Sequence, residues 1–158
     1  MKTTFRRYAL VVLTLALLLP LRTFAEGGKD SPLHNEMEAI NRSLRLINRQ
    51  YADLAQKAST LELVATMQKH AETARTLTPP KSDKMAAADQ TKYLDTFHKN
   101  LDALIKEVGL LKQAIAAGKS DAAKAEIDKI SQLKDSSHKE LGVGGGGHKH
   151  GGPPAPGQ

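Results

Sequence analysis

Met37, Ile40, Leu44, Ile47, Tyr51 and Leu54 recur at intervals of three and four. That spacing lines one face of an α-helix with apolar groups and predicts a first helix with a single buried stripe. Ser31-Pro32, just ahead, reads as an N-cap followed by proline at the first helical position, where its missing N–H is harmless. A second stripe runs through Val64, Met67, Ala71 and Ala74. Ser59-Thr60-Leu61-Glu62 has the form of a capping box opening that helix. Thr78-Pro79-Pro80 ends it near Leu77, because proline lacks the N–H and its ring disfavours a helical residue before it. Residues 81–90 form a polar, alanine-rich connection with some helical character. The third helix has the most regular pattern: Leu94, Phe97, Leu101, Leu104, Val108, Leu111 and Ile115 alternate three and four without a break. Gly118 then predicts a C-terminal cap and Ser120 the N-cap of a fourth helix. This last helix runs to about Leu141, with Ala123, Ile127 and Ile130 inward.

No stretch alternates with the period of a strand, and no internal repeat is evident. Four helices of roughly 15 to 27 residues with mostly short links predict an all-α fold, an antiparallel up-down-up-down four-helix bundle. The bundle is expected over residues 33–141. With so few aromatic residues, its core should be mostly Leu, Ile, Val, Ala and Met.

Two segments outside the bundle change the picture. Residues 1–25 have the layout of a secretory signal peptide: Lys2, Arg6 and Arg7, then an apolar run from Ala9 to Leu19, then Thr23-Phe24-Ala25 before a cut. The run is short for a membrane span. A periplasmic protein with no membrane association after cleavage is therefore expected, with residues 26–32 as a short leader. From Gly142 to Gln158 the chain is mainly Gly, Pro and His, which cannot bury enough apolar surface to order itself, so a disordered tail is expected.

Cleavage also changes the charge. The signal carries four of the 23 basic residues and none of the 17 acidic ones, leaving 19 against 17, a net +2. There is no basic stripe interleaved with aromatics, so a nucleic-acid role is excluded. Cysteine is absent. Disulfides, thiolate metal sites and covalent c-type haem attachment are thereby excluded.

The candidate chemistry lies in Met37 and His138. In an antiparallel bundle the start of the first helix and the end of the fourth share one end. At 100° per residue His138 falls within roughly 20° of Ile127 and 80° of Ile130, so it turns towards the apolar stripe. A thioether and an imidazole should then face each other. Both suit the axial positions of a haem iron, and the soft sulfur favours the ferrous state. Phe97, Leu101, Ile40 and Leu44 belong to the same end and could wall a flat apolar ligand. The plainer alternatives stand beside this: a core methionine, and a histidine that only complements the helix dipole.

The chain resembles the soluble cytochrome b562 family over residues 33–141. EMEAINRSLRLI is similar to that family's first helix, whose axial methionine corresponds to Met37. ARTLTPPK is similar to its Pro-Pro link, YLDTFHKNLDALI to its third helix, and AAGKSDAAKAEIDKI to its turn into the fourth. The family's axial histidine corresponds to His138. The resemblance implies one non-covalent haem b per chain, one-electron transfer to or from an unidentified redox partner protein, a monomer, and no enzymatic turnover. It also places Phe97 and Leu101 beside the haem and Lys134 near its edge. Leu101 stands where the family commonly has a second aromatic, and Lys134 where it can carry arginine. Lysine can pair with a propionate, but without arginine's rigid fork.

Other residues have weaker claims. His34, three residues before Met37, could replace it in a bis-histidine site. His70 and His98 are expected at boundary or solvated positions. His148 and His150 in the tail could capture a metal loosely, although two ligands make a weak site. The rival reading is a haem-free periplasmic bundle for envelope stress or metal handling through that tail.

Overall fold

The structure is a computed structural model describing residues 31–143. The expected signal peptide, nearly all of the leader and the tail beyond Val143 lie outside the described residues. Among the described residues there are four α-helices and no strand. They are α1 (Pro32–Gln50), α2 (Lys57–Thr76), α3 (Ala87–Ala116) and α4 (Ser120–Leu141). The expected antiparallel four-helix bundle is what forms. None of these helices is long and apolar enough to cross a membrane.

Local chemistry sets the helix ends. Ser31 caps α1 as expected, its hydroxyl accepting from the His34 N–H at 3.1 Å, with Pro32 at the first helical position. Gly118 takes φ +68°, the left-handed conformation the turn between α3 and α4 needs. Three expectations fail. Leu54 is not on the first helix's buried stripe: α1 ends at Gln50, and Leu54 is 71% exposed in a short 3₁₀ turn. Asp53 starts that turn by accepting from the Ala55 N–H at 2.9 Å, and the turn leads directly into α2. The capping box is consequently absent, because α2 begins at Lys57. Ser59 and Thr60 instead donate back to the Gln56 carbonyl, at 2.9 and 2.8 Å, and accept from Gln50 of α1. Finally, Ser120 is the first residue of α4 and not its cap, Lys119 taking that place with no side-chain bond.

The stripes meet in one core. Ile47, Val64, Met67, Val108 and Leu111 are fully buried, and Ile130 and Ala123 nearly so. Burying a side chain of that size contributes roughly 1.5–3 kcal/mol. Polar ties across the seams report the antiparallel order. Glu36 meets His70 at 2.6 Å near one end of the α1/α2 pair, and Gln50 meets Thr60 at 3.0 Å near the other. Arg75 of α2 pairs with Asp102 of α3, holding that carboxyl below its usual range through the hydrogen bond. Asn100 of α3 bonds Glu140 of α4 at 3.1 Å.

A less settled contact joins the second half of α3 to the second turn of α4. Glu107 and Glu126 lie close to each other, and one oxygen of each is buried with no hydrogen-bond partner. A shared proton would satisfy both. The Glu126 carboxyl, together with burial, pushes Glu107 above the usual carboxylate range, against the pull of Lys129 and Lys106. Lys129, 2.8 Å from Glu126, holds that residue down. The raised Glu107 binds its proton more tightly when folded, so its contribution is lost as pH rises through the carboxylate range. Glu107→Gln keeps a donor towards Glu126 at every pH. It should stabilise the bundle at pH 7 by roughly 0.5 kcal/mol, the scale of a like-charge pair on a helix surface. Thermal melts should show the gain at pH 7 and none near pH 4.

Candidate functional site

The core stops short of one end of the bundle. α1 packs along α2 and α4 along α3, but α1 and α4 barely meet. Between them lies a cleft of about 660 Å³, walled by α1, α3, α4 and the Pro79-Pro80-Lys81 link. That volume falls within the range of roughly 300–1,000 Å³ common for small-molecule sites.

Helical phase builds the walls. Ile40 and Leu44 continue the α1 stripe into the cleft. Phe97, Leu101 and Leu104 do so from α3, and Ile130, Leu133 and Leu141 from α4. Apolar groups thus cover most of the surface. Polar side chains also line it, among them Asn41, Asn100, Lys134 and Ser137, with one acid, Glu38. The Tyr93 ring also lines the cleft, and burial pushes its phenol above the usual range.

All five residues singled out from the sequence line this one cleft: Met37, Phe97, Leu101, Lys134 and His138. Phe97 and Leu101 are buried, at 5% and 4% exposure, and Met37, Lys134 and His138 are half-buried. The Met37 side chain packs against the edge of the core. His138 makes no side-chain hydrogen bond among the described residues, so its ring is not committed elsewhere. His34 also lines the cleft, one turn before Met37, with its side chain exposed. The other two histidines among the described residues are engaged elsewhere: His70 with Glu36, and His98 against the Phe97 ring at 5.6 Å between centroids.

The donor set narrows the chemistry. Among the described residues no three His, Cys, Asp or Glu side chains gather where they could hold a metal ion. A thioether and an imidazole alone would hold a bare ion weakly. They suit a metal that brings its own equatorial ligands in a flat macrocycle, and the apolar cleft suits the macrocycle's faces. The residues present therefore fit a haem.

Sequence reasoning missed Lys81, Tyr93 and Asn100. For Tyr93 and Asn100 the signal was available, since they lie four residues before and three after Phe97 and share its side of α3; nothing in the local pattern marks Lys81. What brings Lys81 to the cleft is topology: an antiparallel bundle sets the link between α2 and α3 beside the end of α4.

The fold and the cleft together define a helical bundle with a macrocycle-sized slot at one end and one donor on each flanking helix. The sequence profile of cytochrome b562 matches residues 32–141, most of the chain. The chain belongs to the cytochrome b562 family, a family of haem-binding electron carriers. No curated protein matches its sequence.

Proposed function

We propose that this chain is a periplasmic b-type cytochrome that holds one haem non-covalently between Met37 and His138 and passes single electrons. The observation that carries the reading is the convergence of both donors, from α1 and α4, on one apolar cleft inside the span that matches the family. The periplasmic location rests on the signal-peptide pattern of residues 1–25.

Bound haem supplies an iron that alternates between ferric and ferrous. Met37 would hold the group through its thioether and His138 through an imidazole nitrogen, both side chains lining the cleft. Phe97, Leu101, Ile40 and Leu44 exclude water from the macrocycle's faces. Lys134, half-buried where it lines the cleft, could pair with a propionate. If Met37 and His138 both held the iron, no open site would be left for oxygen or peroxide, which favours a carrier over an enzyme. Held on two helices of one bundle, the same two donors would serve either oxidation state, which would keep rearrangement on electron transfer small.

A haemin titration of the mature protein tests this. One equivalent should be taken up per chain, giving a low-spin spectrum with narrow bands on reduction and a one-electron redox wave. A properly helical protein that takes up no haemin would end the proposal.

A further inference from the structure

Lys81 belongs to the link between α2 and α3, yet its ammonium lies against the last turn of α4. Its Nζ donates to the Leu141 carbonyl at 2.7 Å and to the Gly142 carbonyl at 3.2 Å. It also sits 5.7 Å from the centre of the Tyr93 ring. The last carbonyls of a helix lack N–H partners and carry the negative end of its dipole, so an ammonium answers both needs.

His138 is part of the same construction. The Val143 N–H donates to the His138 carbonyl at 3.0 Å, and the Gly142 N–H to the Lys139 carbonyl at 3.2 Å. This is a Schellman closure with Gly142 in the left-handed conformation, φ +60°. A Cβ at Gly142 would lie 2.9 Å from Lys81 Nζ, which shows how closely the ammonium approaches this turn, and the left-handed φ itself favours glycine here. Since α1 and α4 barely meet, α1 does little to hold this end of α4.

We infer that Lys81 is a positioning residue for His138: by tying the last turn of α4 to the α2–α3 link, it fixes how the imidazole enters the cleft. The inference rests on the haem reading above and adds a determinant of how firmly the histidine side of the site is held. Groups that orient a ligand commonly change metal affinity 10–100-fold when removed.

Lys57 provides an internal control. Its Nζ donates to the Ala116 carbonyl at 2.6 Å, capping α3 at the far end of the bundle from the cleft. Three variants are compared with wild type: Lys81→Met, Lys81→Arg and Lys57→Met. Amide hydrogen exchange is followed in the apo-protein. Haem transfer to excess apomyoglobin is followed in the reconstituted protein. Lys81→Met should speed exchange at Leu141, Gly142 and Val143, speed haem loss roughly tenfold, and raise the high-spin fraction of the ferric form. Lys81→Arg, which keeps the donors, should show little of any of the three effects. Lys57→Met should leave haem loss unchanged.

Unchanged haem loss in Lys81→Met, with the wild type low-spin, overturns the inference and leaves the haem reading standing. Faster haem loss with unchanged apo-protein exchange would assign Lys81 to a propionate and overturn the tether. Equal effects from Lys57→Met would reduce it to general helix stability and overturn it as well. A wild type that takes up no haemin removes the haem reading and the inference together, whatever the apo-protein exchange shows.

Discussion

His138→Ala is expected to lower haemin affinity by at least roughly a hundredfold while leaving the bundle folded. The scale follows from the role: even groups that only orient a ligand are worth 10–100-fold, and a direct ligand should be worth more. The intact fold follows from the surroundings. His138 is half-buried and its ring makes no hydrogen bond among the described residues, so alanine strands no partner. Substitutions without such features usually change stability by no more than about 0.5 kcal/mol. Circular dichroism and the melting temperature should therefore stay close to wild type as haemin binding collapses. Added imidazole should recover part of the low-spin spectrum, because the deleted ring leaves a space lined by the cleft. Full-affinity, low-spin binding by the variant without imidazole would remove His138 from the site.

The second large effect concerns potential. Met37→His replaces a soft sulfur with a second nitrogen donor. A thioether favours the ferrous iron, so the variant should stay low-spin but lose potential, on the order of 100 mV within the much wider span that axial ligands command. Met37→Ala should instead become high-spin, or recruit His34, one turn away on the same cleft. Potentiometric titration separates the cases. An unchanged potential in Met37→His would show that sulfur is not on the iron. The double variant Met37→Ala/His34→Ala should be high-spin whatever Met37→Ala shows.

Much of this architecture was legible in periodicity, for a physical reason. Spacing at three and four reports which residues share a helix face, and in a bundle with one core that face is the buried one. The α3 stripe illustrates it: Phe97, Leu101, Leu104, Val108, Leu111 and Ile115 are all buried, and only Leu94 remains half-exposed. Leu54 marks where the signal runs out. Its spacing continues the α1 stripe, but Asp53 reverses the chain first, and periodicity does not register the reversal. Ser59-Thr60-Leu61-Glu62 fails for a related reason. A capping box needs a free helix start, and here a 3₁₀ turn runs directly into α2.

The site divides along the same line. Met37, Phe97, Leu101 and His138 could be brought together from phase and antiparallel order alone, and the cleft does join them. Tyr93 follows from the same phase, four residues before Phe97 on α3; Lys81 could not be placed, since its position depends on how the link between α2 and α3 lies against the end of α4. The Glu107–Glu126 pair was equally hidden. Each glutamate looks like a solvated charge in its own helix, and only the α3/α4 packing sets them face to face.

The central claim is that Met37 sulfur and His138 nitrogen hold the two faces of one haem. Its most direct test is a proton NMR spectrum of the reduced, reconstituted protein with isotope-labelled methionine methyl groups. Besides the initiator, the chain has three methionines: Met37, Met67 and Met85. A methyl group on an iron-bound sulfur lies over the centre of the macrocycle, where the ring current moves its resonance far upfield. One strongly upfield methyl signal is expected, absent from Met37→Ala, with the Met67 and Met85 signals in the ordinary range. Three ordinary methyl signals in a haem-loaded, ferrous, low-spin sample, or an upfield signal that survives Met37→Ala, would contradict the account.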